Sequence, residues 1–334
     1  MFNLDLVSKY RTELMGVATI LIILCHMPAH GVAMPSILKT IIAHGGTGCD
    51  IFLLLSGLGM YHSLQGLKSN GGGILSWYRK RFARLMIPYL LICAPLFHVF
   101  AIREQWSIGQ YFMRLSTLSS WTEGWGLWFV ALIIVLYLVT PLLDKMLTGN
   151  KKWYWLSALV VLTWLSGSIP VSEGIVSHVQ FGLCRVPCYL IGYVLAKEIM
   201  NEKQIKIWPV LVSAAGLYVL SQIVSKMSGV GVSVFWLEGV ILTVLFIYVI
   251  EWCKRLPVVM KVLSFMGTIS LESYCTNVFL LPFFLYLPWQ VGGLDLNPGN
   301  WTYYLVGTTG CILVSWVVNR ISRPLIKCIV TYGS

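Results

Sequence analysis

Histidine and aspartate are residue types that move and steer protons, and in this chain one of each stands at the mouth of an apolar run. His26 closes the run from Leu14 to Cys25, and Asp50 opens the run from Ile51 to Met60. An ionisable side chain at membrane depth is costly unless it is paired or faces water, so both are candidate functional groups. A carboxylate beside a histidine fixes the imidazole tautomer, an arrangement suited to general-base chemistry on a hydroxyl. Pro28, Pro35 and the run Gly45-Gly46-Thr47-Gly48 lie between the two and let the chain turn back. Asp50 can equally cap the helix it opens, and the two roles are compatible.

Other polar residues share this setting. Arg185 stands near the start of an apolar segment and needs an anionic or carbonyl partner there. Ser270, Glu272, Thr276 and Asn277 recur on another; interhelical hydrogen bonding accounts for Ser270 and Thr276, and less readily for Glu272. Trp125 and Trp128 open a further segment, where an aromatic belt accounts for Trp125. The densest charge is Arg79-Lys80-Arg81 followed by Arg84, with Arg81 and Arg84 on one helical face. Forked guanidinium donors suit phosphates, and the same cluster suits an anchor on anionic lipid.

The elements that position these groups follow from composition. The chain has 334 residues, of which 57% are hydrophobic and 11% charged, and its mean hydropathy is +0.77. That composition excludes a soluble protein and implies an all-α, multi-pass membrane bundle. Ten apolar segments can be drawn, near 13–31, 49–66, 83–102, 125–144, 153–170, 181–197, 207–225, 232–251, 264–287 and 302–321. The Lys and Arg residues number 24, and all but Lys39, Arg103, Arg114, Arg185 and Lys226 fall in the N-terminus, every second connection and the C-terminal tail. By the positive-inside rule both termini are cytoplasmic and the spans number about ten. The net charge of +11 is thereby explained by topology, with no nucleic-acid partner.

The first segment follows a polar stretch of mixed charge and reads as a retained helix. One transmembrane domain, 1–334, is expected, with no soluble domain appended. His26 lies thirteen residues beyond Glu13, about 20 Å along a helix, which places it with Asp50 in the outer half of the membrane. The nine cysteines are scattered singly, and although Cys184 and Cys188 are one turn apart, no second pair accompanies them, so no metal is expected.

Five stretches in order carry a resemblance. They are Glu13-Leu14-Met15-Gly16-Val17-Ala18 leading to His26, and Gly48-Cys49-Asp50-Ile51-Phe52-Leu53-Leu54-Leu55-Ser56-Gly57. Next come Tyr78-Arg79-Lys80-Arg81-Phe82-Ala83-Arg84-Leu85-Met86-Ile87-Pro88, then Leu127-Trp128-Phe129 with Tyr137 and Pro141, and Ser270-Leu271-Glu272-Ser273-Tyr274. Together they resemble the membrane-bound acyltransferase-3 family, which moves acyl groups, usually acetyl, from a coenzyme A thioester onto hydroxyls of cell-envelope sugars and related acceptors.

The resemblance implies acetyl-CoA or another acyl-CoA as donor, and a glycan or lipid-linked saccharide as acceptor in a bacterial-type inner membrane. His26 maps onto the family's catalytic base. Asp50 would orient it, and Arg185 or Asn277 would stabilise the oxyanion. The donor phosphates would lie at Arg79, Arg81 and Arg84, and the substrate near Trp128, Glu272 and Ser56. Two positions depart from the family pattern. Met15 stands where an arginine is usual, with Arg11 one turn earlier on a similar face, and Asn277 stands where a histidine is frequent. A polar cavity ringed by His26, Asp50, Arg185 and Glu272 would also serve a lipid-linked glycan carrier, and the two departures also fit an inactive relative.

Overall fold

Every one of the ten apolar segments coincides with helix. The structure is a computed structural model that describes residues 2–167, 169, 171, 173–200, 204–228, 235–285, 290–291, 294–295 and 301–332. Segment ends drawn at 168, 170, 232–234 and 286–287 lie outside them. In chain order the principal helices are α1 (Arg11–His26), α2 (Gly48–Ser69), α3 (Ile74–Arg103), α4 (Trp128–Leu147), α5 (Lys152–Ser166) and α6 (Val186–Met200). They continue with α7 (Ile207–Ser228), α8 (Phe235–Cys253), α9 (Pro257–Thr268), α10 (Ser270–Leu285) and α11 (Trp301–Tyr332). Strands are confined to two-residue antiparallel pairs, one of which ties Phe2–Asn3 to Gln204–Ile205.

Among the described residues, eight helices are long and apolar enough to cross a membrane: α1 to α4, α6, α7, α8 and α11. The remaining two apolar segments behave differently. α5 has fifteen residues, about 22 Å, which falls short of a hydrocarbon core of about 30 Å. The ninth segment is not one helix: α9 and α10 meet at Ile269 with a bend of 71°, and they pass the length test only as a pair.

Glycine sets the closest helix contacts. A Cβ on Gly16 would lie 1.9 Å from the Leu263 carbonyl oxygen, and one on Gly267 1.9 Å from that of Thr12, so α1 and α9 touch backbone to backbone. α2 and α6 are locked in the same way, since a Cβ on Gly57 would lie 2.1 Å from the Tyr189 carbonyl oxygen and one on Gly192 2.0 Å from that of Leu54. With lipid as apolar as leucine, such close approach, not hydrophobic exclusion, is what holds membrane helices together. α2 and α6 are the most enclosed spans, each 67% buried with its short extension, whereas α7, at 11%, turns Val212, Val219 and Leu220 outward. Several polar groups inside the bundle pair with one another. Asp144 of α4 accepts from Gln65 (2.8 Å) and Tyr193 (2.7 Å) and pairs with Lys68, joining α2, α4 and α6.

Candidate active site

One face of α1 organises the site. Arg11, Met15, Thr19, Ile22 and His26 recur at helical spacing and climb about 22 Å from its first residue to its last. Beside the lower part of this face is a cavity of about 160 Å³, walled by Arg11, Met15, Ser56, Arg84, Tyr137 and Tyr274 among others. A second cavity of about 320 Å³ lies at the basic end, with His62, Ser63, Asn70, Lys80, Arg81 and Arg84 in its walls. Arg84 borders both. Ser56 and His62 of α2 are six residues apart, so this helix also runs alongside both spaces.

A tighter space adjoins the smaller cavity on the side towards His26. Thr19, Ile22, Ile23, Phe52, Ser273 and Tyr274 close around a space with no room for a water molecule. His26 stands one turn beyond Ile22, half-buried, with Nδ1 2.5 Å from Oδ1 of Asn277 on α10. A carboxamide oxygen can only accept, so Nδ1 carries the proton and Nε2 keeps its lone pair, the form a general base requires. Asn277 is itself buried, with its amide beside the Tyr304 hydroxyl.

The expected pairing of His26 with Asp50 is therefore corrected. Asp50 is fully buried and its Oδ2 lies 2.5 Å from Nη1 of Arg185, itself 4% exposed. The reason is the depth at which α2 starts. Gly48 packs against Ala18 and Ile22, a Cβ there reaching 2.5 Å from the Ala18 carbonyl, so Asp50 sits roughly 10 Å further in than His26 along α1. Nor is Asp50 the N-cap of α2; that position is held by Thr47, with no side-chain cap bond.

Arg185 is committed on several sides. Its guanidinium carbon lies 4.1 Å from the ring of Phe235 and 5.0 Å from those of Trp128 and Phe181, and Nη1 reaches the Gly46 carbonyl at 3.4 Å. Gly239 gives Asp50 its room, for a Cβ there would lie 2.5 Å from that of Asp50. A guanidinium boxed in by aromatic faces is thereby held against the Asp50 carboxylate, while its Nε has no hydrogen-bond partner among the described residues.

The other expected residues divide. Arg11, Arg84 and Ser56 line the smaller cavity, and Arg81 and Arg84 the basic one. Arg11 occupies the cavity where Met15 offers no charge, its Nη2 3.4 Å from the Leu55 carbonyl, and Gly59 leaves space for it. Arg79 is not in either wall; Trp128 packs on Arg185; and Glu272 accepts from Nδ2 of Asn319 at 2.9 Å, away from both cavities.

Sequence reasoning missed a second carboxylate and histidine. His44 Nδ1 lies 3.1 Å from Glu238, beside an apolar groove of about 340 Å³ between α7 and α8. A distance of 194 residues hid it. All nine cysteines are free, and among the described residues no three His, Cys, Asp or Glu side chains are grouped to hold a metal ion.

Residues 14–320 match the family model described as an acyltransferase domain, which takes in α1 from Leu14 onward, the cavity walls other than Arg11, and α11 as far as Arg320. None of the curated proteins or solved structures compared with the chain matches it.

Proposed function

Because the chain belongs to the acyltransferase-3 family, we propose that it is a multi-pass membrane O-acyltransferase that carries an acyl group, usually acetyl, from acyl-CoA to a hydroxyl of a cell-surface or lipid-linked glycan. The observation that carries this reading is the continuity of one α1 face, from Arg11 at the basic cavities to a histidine whose Nδ1 is held by Asn277. In this reading the basic end is cytoplasmic, as are both termini. α5 and the bent α9–α10 pair complete a count of ten, in a membrane of the bacterial inner type.

The donor's phosphates lie in the basic cavity against Lys80, Arg81 and Arg84, where charge-assisted bonds to phosphate are strongest. Its thin arm passes Arg84 into the smaller cavity, beside Arg11 and Ser56, towards Ile22. The acceptor approaches His26 from the opposite end. Nε2 takes the hydroxyl proton as the acceptor oxygen attacks the thioester carbon. The C–S bond then breaks, and the proton passes from His26 to the departing thiolate, leaving an ester and the free CoA thiol. Nδ2 of Asn277, buried beside the Tyr304 hydroxyl, is a donor that could turn to the oxygen that becomes negative.

His26→Ala abolishes transfer of radiolabelled acetyl from acetyl-CoA to glycan while the protein still accumulates in the membrane. Activity persisting in that variant refutes the mechanism.

A further inference from the structure

We propose that Ile22, Phe52 and Tyr274 form a gauge that sets the length of the acyl group transferred. The inference rests on the donor path described above. These three side chains wall both the smaller cavity and the space above it that excludes water, so they are the boundary between donor arm and base. His26 is four residues beyond Ile22 on α1, and Asn277 three beyond Tyr274 on α10. A thioester arriving from the basic end therefore presents its carbonyl at this boundary, and whatever chain it carries must fit among the same three side chains.

The walls do not yield one at a time. Phe52 packs on Phe129 with ring centroids 6.0 Å apart, and Phe129 meets Tyr274 edge-on at 5.7 Å. Ile22, Phe52 and Tyr274 are each less than 9% exposed, so a longer chain has no solvent to displace and must displace packed side chains instead. Such crowding is cheapest to relieve for the smallest acyl group. The chemistry is unchanged by chain length: the acceptor O–H and the thioester C–S bonds break, the ester C–O and thiol S–H bonds form.

In a walled apolar pocket one methylene is worth roughly 10-fold to 200-fold in kcat/KM. The test compares labelled acetyl-, propionyl- and butyryl-CoA, with a membrane glycolipid extract as acceptor, for the wild type and for Phe52→Ala and Ile22→Ala. The wild type is expected to prefer acetyl to propionyl by at least about 10-fold, and each variant to bring that ratio below about 3-fold. Ile22→Ala, the smaller truncation, carries the test if Phe52→Ala does not fold.

A flat profile over the three lengths in the wild type overturns the gauge and leaves the acyltransferase reading intact. So does an unchanged ratio in folded variants. No transfer from any of the three donors overturns both.

Discussion

Asn277→Leu removes the hydrogen-bond partner of His26 at nearly constant volume, and the outcome separates an orienting amide from a bystander. Leucine cannot accept from Nδ1, which lies 2.5 Å from the amide oxygen in the wild type. The hydrogen bond itself contributes a net ~0.5–1.5 kcal/mol, and an Nδ1–H left without a partner in a half-buried site costs ~1–3 kcal/mol. If between about 1 and 3 kcal/mol of that loss falls on the transition state, kcat drops roughly 5-fold to 150-fold. KM for acetyl-CoA should stay within about twofold, because Arg81 and Arg84, the residues proposed to hold the donor, are not touched. Asn277→Asp restores an acceptor for Nδ1 but removes the Nδ2 donor, so it should recover only part of the rate. The assay is steady-state transfer of labelled acetyl by protein in lipid nanodiscs, with yield checked by size-exclusion chromatography. Wild-type kcat in Asn277→Leu, or a loss confined to KM, refutes the assignment.

Asp50→Ala strands Arg185 as a buried unpaired cation, so it should destabilise the fold by ~3–5 kcal/mol, read as a lowered Tm and poor yield. The double variant Asp50→Leu with Arg185→Met removes both charges and should regain much of that stability; equal damage from both would show that the pair is not the unit. Arg84→Ala should weaken acetyl-CoA binding roughly 10-fold or more and flatten its salt dependence, while Arg79→Ala, outside both cavities, leaves Kd nearly unchanged in calorimetric titration.

What the sequence disclosed and what it withheld divide along a physical line. Apolar length is a local property, and it placed ten segments that fall on helix, although α3 begins at Ile74, so the basic run drawn as a connection before 83 is helical. The face that Arg11 shares with His26 was legible for the same reason, since a helix converts spacing into direction. Partners were not. Asp50 and His26 are neighbours across one hairpin, but the glycines at 45 and 48 let α2 begin deep against α1, and Asp50 then meets Arg185 from 135 residues away. Asn277, 251 residues from His26, was noted for its polarity, while its contact depends on the crossing of α1 and α10. Asp144 and the His44–Glu238 pair gave no signal, because an acidic residue near a helix end looks the same whether solvated or enclosed. The break at Ile269 was equally silent. No proline marks it, and the bend arises as α9 is drawn onto α1 through Gly267.

Ile269 also separates two helices that are held differently. α9 is pinned to α1 through Gly16 and Gly267, whereas α10 departs at 71° and carries Tyr274 and Asn277 at increasing distances from the corner. Asn277 lies eight residues out, a lever of about 12 Å, so a swing of about 5° moves its amide by about 1 Å and Tyr274 by roughly half as much. The same rotation that loosens the Tyr274 side of the constriction thus also stretches the bond to His26. In the proposed mechanism the constriction and the bond that orients His26 therefore share one pivot.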